Sequence, residues 1–298
     1  MAQRHPDTLY NAVQVPVGFR ANFERAWARC NKPKATMTNK QHVLQAYMAV
    51  VIANLRGVTG DVVEAGVWRG GISCVMARAS IDYLPPSTVH RRSFLIDTFE
   101  GLPEPTKEDG EKAIDLWTQV ATGKRTWADA GGGTRDHRLN WGGAINEVAN
   151  VMNRSGVPPD RVHYLKGKAE ETLFLPSSRS QALPDPIAVL RLDTDWYMST
   201  KVELEVLWPR LSPGGWLGID DYYSWAGSRT ATDEWLASRN WSTQAFEVGS
   251  FCNVSRSAGR NWVFKSAPYT RTMPFARPDA HWATFLIGAN KLSHCSIF

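Results

Sequence analysis

The chain has 298 residues, of which 43% are hydrophobic and 21% charged, and this composition is typical of a single folded domain with decorations. Its 34 basic and 29 acidic residues give a net charge of +5 that is spread along the sequence, so the balance indicates no nucleic-acid partner. The longest strongly apolar run, Met48–Ala53, is too short to cross a membrane. We therefore expect neither nucleic acid nor a membrane among its partners.

Strand-like and helix-like patterns alternate from residue 38 to residue 265. A capping box, Thr38-x-x-Gln41, predicts the start of a helix, and Thr200-x-x-Glu203 is interpreted as the cap of a later one. The predicted elements are the helix 38–55, the strand 62–63, the turn 66–71, the helix 73–83, the strands 94–97, 162–165 and 187–192, a helix after Thr200, the turn 212–215, a fifth strand ending at 219, the helix 229–236 and closing strands 244–248 and 261–265. This alternation predicts an α/β fold, a doubly wound parallel sheet with helices on both faces.

Three regions are predicted: an N-terminal helical extension (1–56), a central domain (57–265) and a C-terminal tail (266–298). Inside the central domain, residues 103–138 show no clean period, and such an insertion is usually a lid, a binding loop or partly disordered. The apolar helix 38–55 and the apolar patches of the tail favour a homodimer or homotetramer.

The four cysteines, at positions 30, 74, 252 and 295, show no C-x-x-C spacing, so neither a zinc site nor a redox pair is predicted. The first residues, 1–11, are polar and lack the apolar core of a signal peptide. Both observations favour a reducing, cytoplasmic location.

Three carboxylates directly follow two predicted strands. Asp193 comes after the strand 187–192, and Asp220 and Asp221 come after the fifth strand. The carboxyl ends of parallel strands line the ligand crevice of an open α/β sheet, so these side chains are expected to meet there. Converging carboxylates repel one another unless a cation lies among them, and oxygen ligands suit Mg²⁺ or Ca²⁺. The sequence therefore predicts a metal site.

A glycine-rich turn follows the first strand, with Glu64 at the strand tip and Gly66, Gly70 and Gly71 beyond it. Glycines there let the backbone approach a ligand closely. The dinucleotide string G-x-G-x-x-G is absent, and an acidic residue before the glycines suits a positive ammonium or sulfonium group better than a pyrophosphate. Asp97, at the tip of the second strand, is placed to accept hydrogen bonds from both hydroxyls of a ribose.

Four motifs in this order, 62–71, 97–103, 192–200 and 211–222, closely resemble those of the macrocin/mycinamicin (TylF-type) O-methyltransferases. That family consists of class I S-adenosylmethionine enzymes that methylate sugar hydroxyls of macrolides with Mg²⁺. A more distant similarity is to catechol-type methyltransferases. The resemblance implies the cofactors S-adenosylmethionine and Mg²⁺, and a hydroxylated small molecule as substrate, with methyl transfer to a hydroxyl of a vicinal diol in a sugar-bearing or other natural product.

The resemblance also implies roles for individual residues. The implied metal ligands are Asp193, Asp220 and Asp221. The segment His137-Arg138-Leu139-Asn140 looks like the family segment whose histidine is the proposed general base, so the implied catalytic residues are His137 and Asp193. The implied cofactor-binding residues are Glu64, Gly66, Val67, Trp68, Asp97, Thr98 and Asp193.

Other interpretations of the same residues stay open. Asp193 and Asp195 are also suited to capping the next helix, and Asp220 and Asp221 to starting a loop without metal. A loop histidine such as His137 is usually solvated. At the level of the whole chain, the alternatives are a methyltransferase-like scaffold that binds a partner protein and a metal-dependent phosphoesterase.

Overall fold

The computed structural model describes residues 16–83, 91–124, 142–174, 183–239 and 263–264. Several predictions concern residues outside these ranges and stay predictions. They are His137 with its neighbours, the first residues of the extension, the distal part of the insertion, the strand 244–248 and the tail 266–298.

Five parallel strands and one antiparallel edge strand form the sheet, in the order β3-β2-β1-β4-β5-β6. The strands are β1 (Asp61–Ala65), β2 (Ser93–Asp97), β3 (Val162–Lys166), β4 (Ile187–Leu192), β5 (Leu211–Ile219) and β6 (Val263–Phe264). The chain adds strands outward from β1 to β3 on one side and then from β4 to β5 on the other side of β1. This change of direction is that of a doubly wound sheet, and the predicted fold class is confirmed.

Helices cover both faces of this sheet. They are α1 (Phe19–Cys30), α2 (Lys40–Leu55), α3 (Gly71–Asp82), α4 (Glu111–Ala121), α5 (Ile145–Met152), α6 (Ala169–Thr172), α7 (Tyr197–Val206) and α8 (Ala226–Ala237). Alternate residues of β1 point to opposite faces, with Val62 in the core beneath α1, α2, α3 and α5, and Val63 in the core beneath α6, α7 and α8. None of the described helices combines the length and apolar character that a membrane crossing requires.

Both predicted helix caps are wrong. Helix α2 begins at Lys40, because the side chain of Asn39, not Thr38, accepts hydrogen bonds from the first turn, at 2.9 Å and 3.1 Å. Helix α7 begins at Tyr197, whose amide donates to the buried carboxylate of Asp109 at 2.6 Å. Thr200 therefore lies inside α7, whose start depends on a residue of the distant insertion.

Two further boundaries differ from prediction. The predicted turn 212–215 is part of β5, where the step of five positions from Leu211 to Trp216 faces a step of only two positions, from Ile187 to Val189, on β4. The surplus residues form an irregularity within the strand, which the Pro-Gly-Gly sequence permits. Helix α8 begins at Ala226, ahead of the predicted start at Arg229.

A disulfide joins Cys30, at the end of α1, to Cys74 in α3, whereas no pairing among the four cysteines was predicted. Spacing motifs detect local pairs, whereas these residues lie 44 positions apart and are brought together by helix packing. Nearby, the amide of Gly71 donates to the carbonyl of Ala35 at 2.9 Å. The N-terminal extension is thus tied to the helix that follows the glycine turn, and the cysteines no longer support a reducing compartment.

Candidate active site

A cavity of about 610 Å³ opens at the carboxyl ends of β1, β2, β4 and β5. The predicted site residues that the structure describes all line it: Glu64, Gly66, Val67, Trp68, Asp97, Thr98, Asp193, Asp220 and Asp221. His137 lies outside the described residues. The sheet thus brings together, in one cavity, side chains that the sequence separates by more than 150 positions.

The glycine turn brings the tip of β1 against the tip of β4. Gly66 has φ +81°, and a Cβ at this position would collide with the carbonyl oxygen of Asp193. The amide of Asp193 in turn donates to the carbonyl of Ala65 at 2.8 Å. Only glycine allows this approach, which places Asp193, one of the predicted metal ligands, directly beside the turn.

Asp97 braces the glycine turn from the neighbouring strand. One carboxylate oxygen accepts the amides of Val67 at 2.6 Å and Trp68 at 3.2 Å, and the other accepts the amide of Phe99 at 2.7 Å and the hydroxyl of Thr98 at 3.3 Å. Trp68 and Phe99 have positive φ angles of 50° and 54°, so these bonds hold unfavourable backbone conformations in place. Burial raises the pKa of Asp97, and the four hydrogen bonds oppose that rise.

A carboxylate has about four lone-pair sites, and backbone amides already take three of those of Asp97. The hydroxyl of Thr98 contacts it at 3.3 Å but makes its shorter bond, at 2.6 Å, to the carbonyl of Gly101. Asp97 therefore serves mainly to hold the turn, and a ribose contact would use its remaining acceptor site. The predicted ribose contact stays a prediction, and the structure adds a bracing role that sequence reasoning missed.

Arg191 is the site residue that sequence reasoning missed entirely. It is the fifth of the six residues of β4, is fully buried, and stands in register beside Glu64 of β1. Its guanidinium donates to Glu64 and Asp193 at 2.7 Å each and to Asp220 at 3.0 Å. Burial alone would lower the pKa of Arg191, but these carboxylates outweigh it and raise the pKa. A signal was present, because an arginine inside a buried apolar strand requires a buried partner.

The carboxylates around Arg191 carry more negative charge than this internal cation can balance. Three carboxylates contact the single guanidinium, which leaves two uncompensated negative charges if all are ionised, even before Asp221 is counted. Burial raises the pKa of Asp193 and of Asp221 well above the ordinary value, and repulsion from neighbouring carboxylates adds to this rise. Such an excess favours a further cation.

The geometry of the three predicted ligands fits a metal ion. Asp193, Asp220 and Asp221 each offer an oxygen, and these oxygens all lie within 4.8 Å of one another. The second oxygen of Asp220 is buried and has no hydrogen-bond partner among the described residues, while its first is held by Arg191. A hard, oxygen-only donor set of this kind suits Mg²⁺.

The insertion supplies one wall of the cavity. Its described part includes α4, an element that the sequence did not predict, with Lys112, Asp115 and Leu116 lining the space. Lys112 donates to the carbonyl of Ser224 at 3.1 Å and lies 4.5 Å from the ring centre of Trp225. The segment after β5, with Tyr223, Ser224 and Trp225, lines the cavity next to α4.

A doubly wound sheet with a glycine turn, a bracing acid on the next strand and an acidic cluster at the strand tips defines a class I methyltransferase fold. The structure is similar to that of the O-methyltransferase NovP, with a TM-score of 0.60 and 23% identity over 83% of this chain and 96% of that one. It is also similar to CalS11, a calicheamicin methyltransferase, with a TM-score of 0.50 and 16% identity over 89% and 99% of the two chains.

The family model of the macrocin-O-methyltransferases (TylF) matches residues 21–256, and the chain belongs to this family. Among curated relatives, it is 36% identical over 183 residues to a tetracenomycin-C 4'-O-methyltransferase of Streptomyces olivaceus that acts on the 8-demethyl-8-(2,3-dimethoxy-alpha-L-rhamnosyl) compound. It is 31% identical over 197 residues to the mycinamicin III 3''-O-methyltransferase of Micromonospora griseorubida. These matches cover 60% and 62% of this chain, and 58% and 62% of the relatives' own lengths.

Proposed function

We propose that the protein is an S-adenosylmethionine-dependent, Mg²⁺-dependent O-methyltransferase that acts on a hydroxyl of a sugar-bearing or other small natural product. The observation that carries this proposal is the junction of the glycine turn with the acidic cluster in one cavity. Membership of the family and the names of the relatives, which are O-methyltransferases of glycosylated natural products, support it.

The cofactor would lie along the strand tips. The buried carboxylate of Glu64 and the excess of negative charge around Arg191 suit the ammonium and sulfonium groups of its methionine part. Gly66, Val67 and Trp68 would present backbone to that part, and the ribose would lie at Asp97 and Thr98 on the next strand. When bound, S-adenosylmethionine supplies a methyl group on a positively charged sulfur.

Asp193, Asp220 and Asp221 would hold the Mg²⁺ ion, which lowers the pKa of a hydroxyl bound to it and fixes that hydroxyl's direction. A vicinal diol offers two adjacent oxygens for such a site. His137 is the proposed general base, and Asp193, as a ligand of the ion, is the other proposed catalytic residue. The acceptor would lie against the α4 wall, with Tyr223 and Trp225 beside it.

We also propose a homodimer or homotetramer in the cytoplasm, the assembly being favoured by the apolar patches in the sequence of the tail. The apolar residues of α2, such as Val43, Tyr47 and Val50, are buried within the chain itself, so they offer no apolar face to a second copy. Light scattering tests the assembly, because a monomer would have a mass of 33.3 kDa.

Calorimetric titration with S-adenosylhomocysteine, with and without Mg²⁺, tests the proposal. We expect micromolar binding to the wild type and weaker binding to Asp97→Ala, because the brace of the turn is lost. An acceptor screen of vicinal diols follows, with activity expected to stop in excess chelator. Full activity in chelator would contradict the metal role, and absence of binding would favour the scaffold alternative.

A further inference from the structure

Glu203 is a fully buried acid with an unused oxygen at the edge of the cavity. It lies on α7, and the hydroxyl of Thr194 donates to one of its carboxyl oxygens at 3.1 Å. The other oxygen has no hydrogen-bond partner among the described residues. Both Glu203 and Thr194 line the cavity. A buried polar atom without a partner is unfavourable, so such an atom in a residue that lines a cavity indicates a ligand.

The charged groups that influence the pKa of Glu203 are both acidic. They are Asp97 at the tip of β2 and Glu170 at the start of α6, directly after β3. Burial, followed by repulsion from these two carboxylates, raises the pKa of Glu203 well above the ordinary value, against the hydrogen bond from Thr194. Its carboxyl group is therefore neutral over a wider range of pH than an ordinary glutamate. In the neutral form it offers one O–H donor and one acceptor.

The order of the strands indicates which ligand group comes near. The proposed cofactor is linear, with methionine, ribose and adenine in succession. With methionine at the tip of β1 and ribose at the tip of β2, the base extends toward β3, the next strand in the sheet. The residues that follow β3, Gly167, Lys168, Ala169 and Glu170, line the cavity, and Glu170 is near enough to Glu203 to influence its pKa.

We propose that Glu203 hydrogen-bonds the adenine of the cofactor. This inference rests on the proposed function. Adenine carries an exocyclic amino group next to a ring nitrogen, which is a donor beside an acceptor. A neutral carboxyl group matches that pair with its own acceptor and donor. Thr194 fixes the direction of the carboxyl group, so it is a positioning residue.

Calorimetric titrations with S-adenosylhomocysteine, adenosine and Mn²⁺ test this inference. We expect Glu203→Leu to weaken binding of both adenosine-containing ligands at least tenfold and to leave Mn²⁺ binding unchanged. Glu203→Gln keeps a donor and an acceptor and is expected to stay within about threefold of wild type. The matched control is Glu171→Gln, one position beyond Glu170 with an exposed carboxylate, which should change nothing.

Wild-type binding by Glu203→Leu would overturn the inference. So would an equal loss of Mn²⁺ and adenosine binding, because that pattern indicates general disruption of the site. If Glu203→Leu does not fold, the pH profile decides. Wild-type affinity for adenosine should fall as Glu203 ionises, whereas Glu203→Gln should not show this fall, and identical profiles would overturn the inference. Absence of wild-type binding would instead contradict the proposed function.

Discussion

Replacing Arg191 by methionine is expected to destabilise the protein strongly. The substitution keeps most of the side-chain volume but leaves Glu64 and Asp220, both almost fully buried, without their cation. Breaking a buried ion pair by removing one partner typically lowers the free energy of unfolding by about 3 to 5 kcal/mol. For a chain of this size, each kcal/mol corresponds to roughly 2 to 4 °C in the midpoint of thermal unfolding. The expected decrease is therefore about 6 to 20 °C.

Thermal and urea unfolding followed by circular dichroism measure this effect. The control is Lys40→Met, which removes an ion pair with Glu24 whose side chains are 42% and 46% exposed and should change stability by less than about 1 kcal/mol. The double variant Arg191→Met with Glu64→Gln removes one of the stranded charges and should recover part of the loss. A single variant as stable as the wild type would refute the assignment of Arg191 as the internal cation.

Three further predictions concern other residues. Gly66→Ala should abolish binding of S-adenosylhomocysteine because its Cβ meets the carbonyl of Asp193. Gly57→Ala, also at positive φ but with open space around it, should lower stability by only about 1 to 2 kcal/mol. Equal effects of the two substitutions would contradict the close approach of Gly66 to Asp193. Cys74→Ala should lower stability by about 4 kcal/mol without reductant, for a loop closed over 44 residues, and the difference should vanish in reductant. For Glu203→Gln, we expect the stability relative to wild type to rise by up to about 1.4 kcal/mol per pH unit above the ordinary glutamate pKa. The reason is that burial raises the pKa of Glu203 in the folded state, so the wild type loses stability as the pH rises. Urea unfolding at several pH values measures this effect, and a constant difference between the two proteins would contradict the raised pKa that burial causes.

The strands were the most predictable part of the molecule. The predicted strand 187–192 coincides with β4, and the predicted strand 94–97 differs from β2 by one residue. Strands buried on both faces of a parallel sheet appear in sequence as short, mainly apolar runs. Because the acids at those ends were the predicted site residues, their convergence in one cavity was predictable as well.

The features that were missed depend on contacts between distant parts of the chain. The start of α7 is set by Asp109, which lies 88 residues earlier, and no local capping pattern can show this. The disulfide depends on how α1 packs against α3. Arg191 was read as part of an apolar run, because only the register of β4 beside β1 reveals that Glu64 is its partner. Local patterns indicate elements, whereas partners require the assembled sheet.

The position of Arg191 beside Glu64 has a consequence for how the sheet assembles. Parallel strands must find each other over long loops, and apolar side chains alone discriminate weakly between neighbouring alignments. A shift of β4 by two residues along β1 would keep the same faces buried but would place the guanidinium opposite an apolar residue of β1. That misaligned sheet would hold a buried unpaired charge, so the ion pair selects the native alignment before any ligand arrives.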